Sequence, residues 1–188
     1  AIKILSYRGV LESHTSRGTS ISKKNRIAKE ATSWSVLLGY EEMHEVFTLG
    51  TAIDTQVAII AINNITRKVH TYNNTKKEMS KILKEMSRAA EENDLDKYTE
   101  IFSEYFRVLY KTSYNTVFLS LNECIDSLIV KKVCKAYHMT NNLVNATNYL
   151  AKIWESIIEC NLEKSIKTVQ DYGEFAYKIF YQCGMMEE

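Results

Sequence analysis

Not one proline occurs in the 188 residues of this chain, where average usage of about 5% would supply about nine. Proline ends or kinks helices, because it lacks the N–H and its ring meets the carbonyl one turn back. Without it the chain is free to run in long helices, and the hydrophobic periodicity says where. Met43, Val46, Phe47, Gly50, Ile53, Val57 and Ile60 recur at three- and four-residue steps, predicting a helix between about 40 and 66. Ile82, Leu83 and Met86 mark a more polar, exposed helix from about 73 to 91. After Asn93-Asp94, a pair suited to N-capping, Tyr98, Ile101, Phe102, Tyr105, Phe106 and Leu109 form a wide apolar stripe. Val117, Leu121, Cys124, Ile125 and Leu128 mark a helix starting just after Asn115. Leu143, Ala146, Leu150, Ile153 and Ile157 mark another, and the series from Ile166 through Val169, Tyr172, Gly173, Ala176 and Ile179 to Phe180 marks the last. The pattern predicts an all-α antiparallel bundle of six to seven helices joined by short polar connections.

The first residues read differently. Ala1-Ile2-Lys3-Ile4-Leu5 reads as the end of a helix, and Gly9 supplies the positive φ that a helix C-cap favours. Val10-Leu11-Glu12-Ser13 and Thr19-Ser20-Ile21-Ser22 are two strand-like runs, joined by a turn with Arg17-Gly18 at its tip. Such a ribbon can lay Arg17 against a phosphate or into a minor groove, with turn amides as further donors. An ordinary surface hairpin has the same pattern. Ser22-Lys23-Lys24-Asn25-Arg26 then forms a basic linker. The expected division is a hairpin segment at 1–22, a linker and first short helix at 23–39, and a helical domain at 40–184.

Composition narrows the functions open to the chain. Its length buries roughly 70% of the unfolded surface, enough for one substantial domain and a small appendage. Net charge is +1, so no global field recruits nucleic acid or an acidic membrane, and any DNA contact must be local. Cys124, Cys134, Cys160 and Cys183 are widely spaced with no C-x-x-C and read as reduced thiols. No signal peptide stands out, and no apolar run of about 18 residues. A soluble, cytoplasmic setting is expected, in which Asn64-Ile65-Thr66, Asn73-Asn74-Thr75 and Asn145-Ala146-Thr147 are chance sequons. His14, His44, His70 and His138 are dispersed and read as solvated or capping residues. No paired-carboxylate, Ser-His-Asp, Cys-His or glycine-rich phosphate pattern is present, so no enzyme is expected.

Leu5, Gly9, Val10, Leu11, Glu12, Arg17, Gly18, Thr19 and Ile21 match L-x-x-x-G-[VL]-[LV]-E followed by R-G-T-x-[IV]. This segment resembles the recognition-helix exit and wing of the winged helix-turn-helix in GntR-family transcription regulators. The helical part resembles the ligand-binding domain of the family's FadR subfamily. Glu42-Met43-His44-Glu45-Val46 is similar to its E-V-R helix, Asn93-Asp94-Leu95 to the G-D-L that begins its central helix, and Ser113-Tyr114-Asn115-Thr116-Val117-Phe118 to its S-x-N-x-x-[LF] turn. The run from Ile157-Ile158-Glu159-Cys160-Asn161 through Leu162-Glu163-Lys164-Ser165 is similar to its A-I-x-x-G-D-x-E-x-A turn. The resemblance implies a homodimer whose winged domains contact DNA, here through Arg17, Gly18 and Thr19, under control of a small-molecule effector. Apart from its end at Ala1–Leu5, the base-reading helix is not in the sequence, so this chain alone is not expected to bind an operator specifically.

The departures carry information too. Many such domains hold a divalent metal with an Asp and three His. The spacing from Asn115 puts Phe102 at the Asp position and Phe106 at the first His position, and the spacing from Asn161 puts Leu150 and Tyr172 at the other two. Phe47 stands where the family has the arginine of E-V-R. These residues do not make a metal site, so no metal or other cofactor is expected. They imply an effector with substantial apolar surface, held by Phe47, Phe102, Tyr105, Phe106, Leu150, Trp154 and Tyr172. Acyl-coenzyme A, which the metal-free namesake of the domain binds, is one ligand of that kind. Two alternatives remain: the same aromatics simply fill the core, or the chain is a helical adaptor that binds a protein partner instead of DNA.

Overall fold

The computed structural model describes residues 11–14, 18–21, 43–67 and 72–184. Among them are a two-stranded sheet and seven α-helices. Strand β1 (Leu11–His14) pairs antiparallel with β2 (Gly18–Ile21), Leu11 opposite Ile21 and His14 opposite Gly18. The hairpin expected from the sequence is therefore present, with one correction. Gly18 does not sit at the tip but closes the ladder against His14, and Thr19 follows it opposite Ser13. Arg17, the helix end at 1–5, the linker at 23–39 and His70 lie outside the described residues.

The helices are α1 (Met43–Thr66), α2 (Asn73–Glu91), α3 (Leu95–Lys111), α4 (Thr116–Ile125), α5 (Lys131–Met139), α6 (Leu143–Ile158) and α7 (Leu162–Gln182). Helix α1 packs along α7, α2 along α3 and α6, and α6 along α7. Helix α3 runs through the middle, burying Tyr98, Ile101, Phe102, Tyr105, Phe106, Val108, Leu109 and Tyr110. By length and composition alone α1 could cross a membrane, a property the sequence reading had not assigned to any run. Here it buries Val57, Ala58 and Ala61 completely against its neighbours.

Four corners are built alike. Asn93, Tyr114, Asn141 and Cys160 each adopt a positive φ of 52 to 55° without being glycine, and each is followed by an Asp or Asn that starts the next helix. At three of them the six-to-one bond of a Schellman ending is present, Asp94 N–H to Ala89 O, Asn142 N–H to Tyr137 O, and Asn161 N–H to Ser156 O. Asp94 then accepts from Lys97 N–H at 3.0 Å, Asn115 from Val117 N–H at 2.9 Å, and Asn161 from Lys164 N–H at 3.0 Å. The two motifs together consume donors and acceptors that both helix ends would otherwise leave open. The starts expected at Asn93-Asp94 and Asn115 coincide with these caps, whereas the last helix begins at Leu162, ahead of its apolar series.

Between α4 and α5 the backbone does not break. Asp126–Val130 forms a π-turn, a single stretch of i→i+5 winding that inserts an extra residue into a continuous helical path. The apolar series from Val117 to Leu128 runs through this irregularity, which its periodicity does not reveal.

Candidate functional site

Inside the bundle, α1, α3, α7 and the π-turn enclose a cavity of about 70 Å³. Its apolar wall is aromatic: Phe47 from α1, Phe102 and Phe106 from α3, and Tyr172 from α7. The rings touch in sequence, Phe102 to Phe106 at 5.1 Å between centroids and Phe106 to Tyr172 at 6.3 Å. Four of the seven residues expected to meet an effector thus line one cavity. The other three do not. Tyr105 and Leu150 are fully buried elsewhere in the core, with the Tyr105 hydroxyl donating to Leu150 O at 2.8 Å. Trp154 faces a shallow surface groove with Leu83, Ala151 and Ile158, its indole N–H buried without a partner.

The α1 and α7 backbones approach closely beside the cavity. A Cβ on Gly173 would lie 2.2 Å from Thr51 Oγ1 and 3.2 Å from Thr51 Cβ, so only glycine lets the two helices meet there. On the outer side of this contact an open groove continues past His44, Gln56, Gln170 and Tyr177. His44 packs edge-on against the Tyr177 ring at 5.1 Å.

The polar lining is what the sequence reading missed. Asp54 projects from α1, Tyr110 from α3, Asn122 from α4 and Asp126 from the π-turn. The Tyr110 hydroxyl donates to Asp54 Oδ1 at 2.5 Å. Burial pushes Asp54 from its ordinary 3.8 up to about 7, against the opposing pull of that hydrogen bond. Burial also raises Asp126, opposed by a hydrogen bond from Ser103, and Asp126 Oδ1 is buried without a partner. Among the described residues no cation acts on either carboxylate, and no Lys, Arg or His lines the cavity. A signal for both exists in the sequence. Each is the only charged residue in an apolar stretch, Gly50 to Ala61 for Asp54 and Cys124 to Val130 for Asp126, where a lone carboxylate is costly unless it has a task. Among the described residues no group of three or more His, Cys, Asp or Glu comes together as a metal site would require.

No protein-family model matches the chain, and no curated protein does. Solved structures do. McbR/YncC of E. coli superposes with a TM-score of 0.66 at 12% identity, covering 96% of this chain and 81% of that one. Streptococcus agalactiae GntR gives 0.67 at 18% identity over 92% of this chain and 76% of its own. Lar, which controls expression of the Listeria monocytogenes agr system and mediates virulence, gives 0.60 at 14% over 96% and 77%. The chain shares its fold with these three structures, Streptococcus agalactiae GntR among them.

Proposed function

We propose that this chain carries the sensing part of a ligand-responsive transcription regulator of the GntR type. Residues 40–184 form the effector-binding and dimerising domain in this reading, 23–39 the linker, and 1–22 the end of a winged helix-turn-helix. The observation that carries the proposal is an aromatic cavity inside a bundle whose fold is shared with Streptococcus agalactiae GntR and E. coli McbR/YncC. Phe47, Phe102, Phe106 and Tyr172 make the apolar wall of the effector site. Tyr105, Leu150 and Trp154 stiffen the bundle behind it. The hairpin contacts DNA through Arg17, Gly18 and Thr19, as a wing lies against phosphates. Two such domains read two half-sites whose separation is set by the helical dimer. An effector that binds better to one separation shifts the population and with it the operator affinity. The reading assigns no catalytic step and no cofactor, and places the protein in the cytoplasm.

Native mass spectrometry of the purified chain tests it in one spectrum. The expected result is a dimer with no metal and with an added organic mass. A monomer with no added mass would overturn the reading in favour of a filled core and an adaptor that binds protein partners.

A further inference from the structure

We infer that the cavity is a site for a compact organic cation, an amine with a small apolar body, held between Asp54 and Asp126 against the Phe47, Phe102, Phe106 and Tyr172 rings. This rests on the effector reading above and names the chemistry of its ligand.

The polar atoms that line the cavity are mostly acceptors. Asp54 offers the carboxylate oxygen that Tyr110 does not occupy, and Asp126 offers Oδ1, buried with no partner. Asn122 and Tyr110 complete the polar end. A buried acceptor left unmade is costly, more so when charged. A ligand that only filled the space with carbon would leave Asp126 Oδ1 unmade. A carboxylate or phosphate would fare worse, because among the described residues no Lys, Arg or His lines the cavity to offset its charge. Anions of the coenzyme A kind therefore find no partner in it.

A protonated amine satisfies both ends of the cavity. Its N–H groups donate to the two aspartates, and its charge returns them to the ionised form that burial disfavours. Its carbon body packs on the aromatic rings, whose faces also favour a cation nearby. Size sets a limit. A cavity of about 70 Å³ is well below the roughly 300–1,000 Å³ of sites for drug-sized ligands, which favours a ligand of few atoms. The π-turn is the second independent mark of a site. Such turns occur mainly as single insertions, frequently where function is placed, and this one carries Asp126, Ile129 and Val130 into the cavity wall.

Tyr110 donates to Asp54 and Tyr105 lies within electrostatic reach of it, both from α3, while Asp126 from the π-turn and Tyr172 from α7 line the same cavity. All three tyrosines are held above their ordinary values, mainly by burial, and stay neutral. Asp54 and Asp126 are thus the groups whose protons a cation displaces, and binding should tighten as pH rises towards about 8.

The test is thermal unfolding of the chain with n-butylamine, n-butanol and sodium butyrate near pH 8, alongside the native mass spectrum. The expected result is a saturable rise in Tm with butylamine alone, with an apparent affinity about tenfold weaker at pH near 5 and in either Asp54→Asn or Asp126→Asn. Two carboxylate variants are used so that a folding defect in one does not decide the matter. Equal stabilisation by butanol, stabilisation by butyrate, or a retained molecule lacking a basic nitrogen overturns the amine assignment and leaves the effector site standing. No stabilisation by any probe, together with no retained mass, overturns both.

Discussion

The two sides of α3 follow opposite rules although they lie on one helix. On the side facing α6, the two buried tyrosine hydroxyls are both used up within the protein. Tyr98 donates to Leu143 O at 3.2 Å and accepts from Thr147, and Tyr105 donates to Leu150 O at 2.8 Å. On the side facing α1 and the π-turn, Phe102 and Phe106 border empty volume, and Asp126 keeps a buried oxygen unpaired. A tyrosine inside a core needs one acceptor, and here a carbonyl of the neighbouring helix α6 supplies it. A buried carboxylate needs donors, and this core offers Asp54 only the Tyr110 hydroxyl. The sealed side is built for stability, whereas the open side stores an unmet demand that a ligand can fill.

If that contrast is right, truncation should be costly on one side and relief should follow on the other. Leu150→Ala on the sealed side should lower the unfolding free energy by about 3 kcal/mol, the usual cost of a buried leucine cavity, read by chemical denaturation. A loss below about 1 kcal/mol would mean that this side is already loose.

Asp54→Asn on the open side should instead stabilise the protein, with a dependence on pH. Because burial raises Asp54 from 3.8 to about 7 in the folded state, its protonated form is the favoured one there. The stability it carries is complete below pH 3.8 and is lost as pH rises through about 7. Asparagine preserves the acceptor for Tyr110 and does not titrate. The variant should therefore gain about 2 kcal/mol over the parent near pH 8, discounted for the cavity-facing surface of Asp54, with the gap closing towards pH 4. A gap that widens on acidification would show that Asp54 is paired in the fold.

Tyr105→Phe removes one made hydrogen bond and should cost about 1 kcal/mol at every pH between 5 and 8, roughly the net value of such a bond. The smallest expected effect lies outside both faces. Cys160 is exposed and holds a φ of 54°, which burdens any residue with a Cβ, so Cys160→Gly should raise stability by about 0.5 kcal/mol.

Much of the helical layout could be read from the chain because its corners are local. An Asx residue before an apolar series sets a helix start with nothing from the rest of the fold, and the starts after Asp94 and Asn115 were visible for that reason. Two of these corners also explain a departure from the GntR pattern. Where that pattern has glycine, Asn93 and Cys160 here take the positive φ themselves. The aromatic wall was half legible: periodicity says that Phe102, Tyr105 and Phe106 all point inward, but not which of them faces a void. That is set by α1 and α7 meeting at Thr51 and Gly173, a tertiary event. Asp54 and Asp126 escaped notice because they are far apart in the chain and belong to no spaced motif. The π-turn escaped because one extra residue in a winding leaves the apolar series almost unchanged.

The repeated corners have a consequence for how the chain tolerates insertions. A Schellman ending and an Asx start occupy adjacent residues, so each corner fixes the azimuth at which one helix stops and the next begins. Adding one residue within a helix turns everything beyond it by about 100°, and the corner then launches the following helix in the wrong direction. The length between two corners therefore sets the direction in which the next helix leaves. The π-turn is the exception among the described residues, a place where the chain carries an extra residue without disturbing the corners on either side.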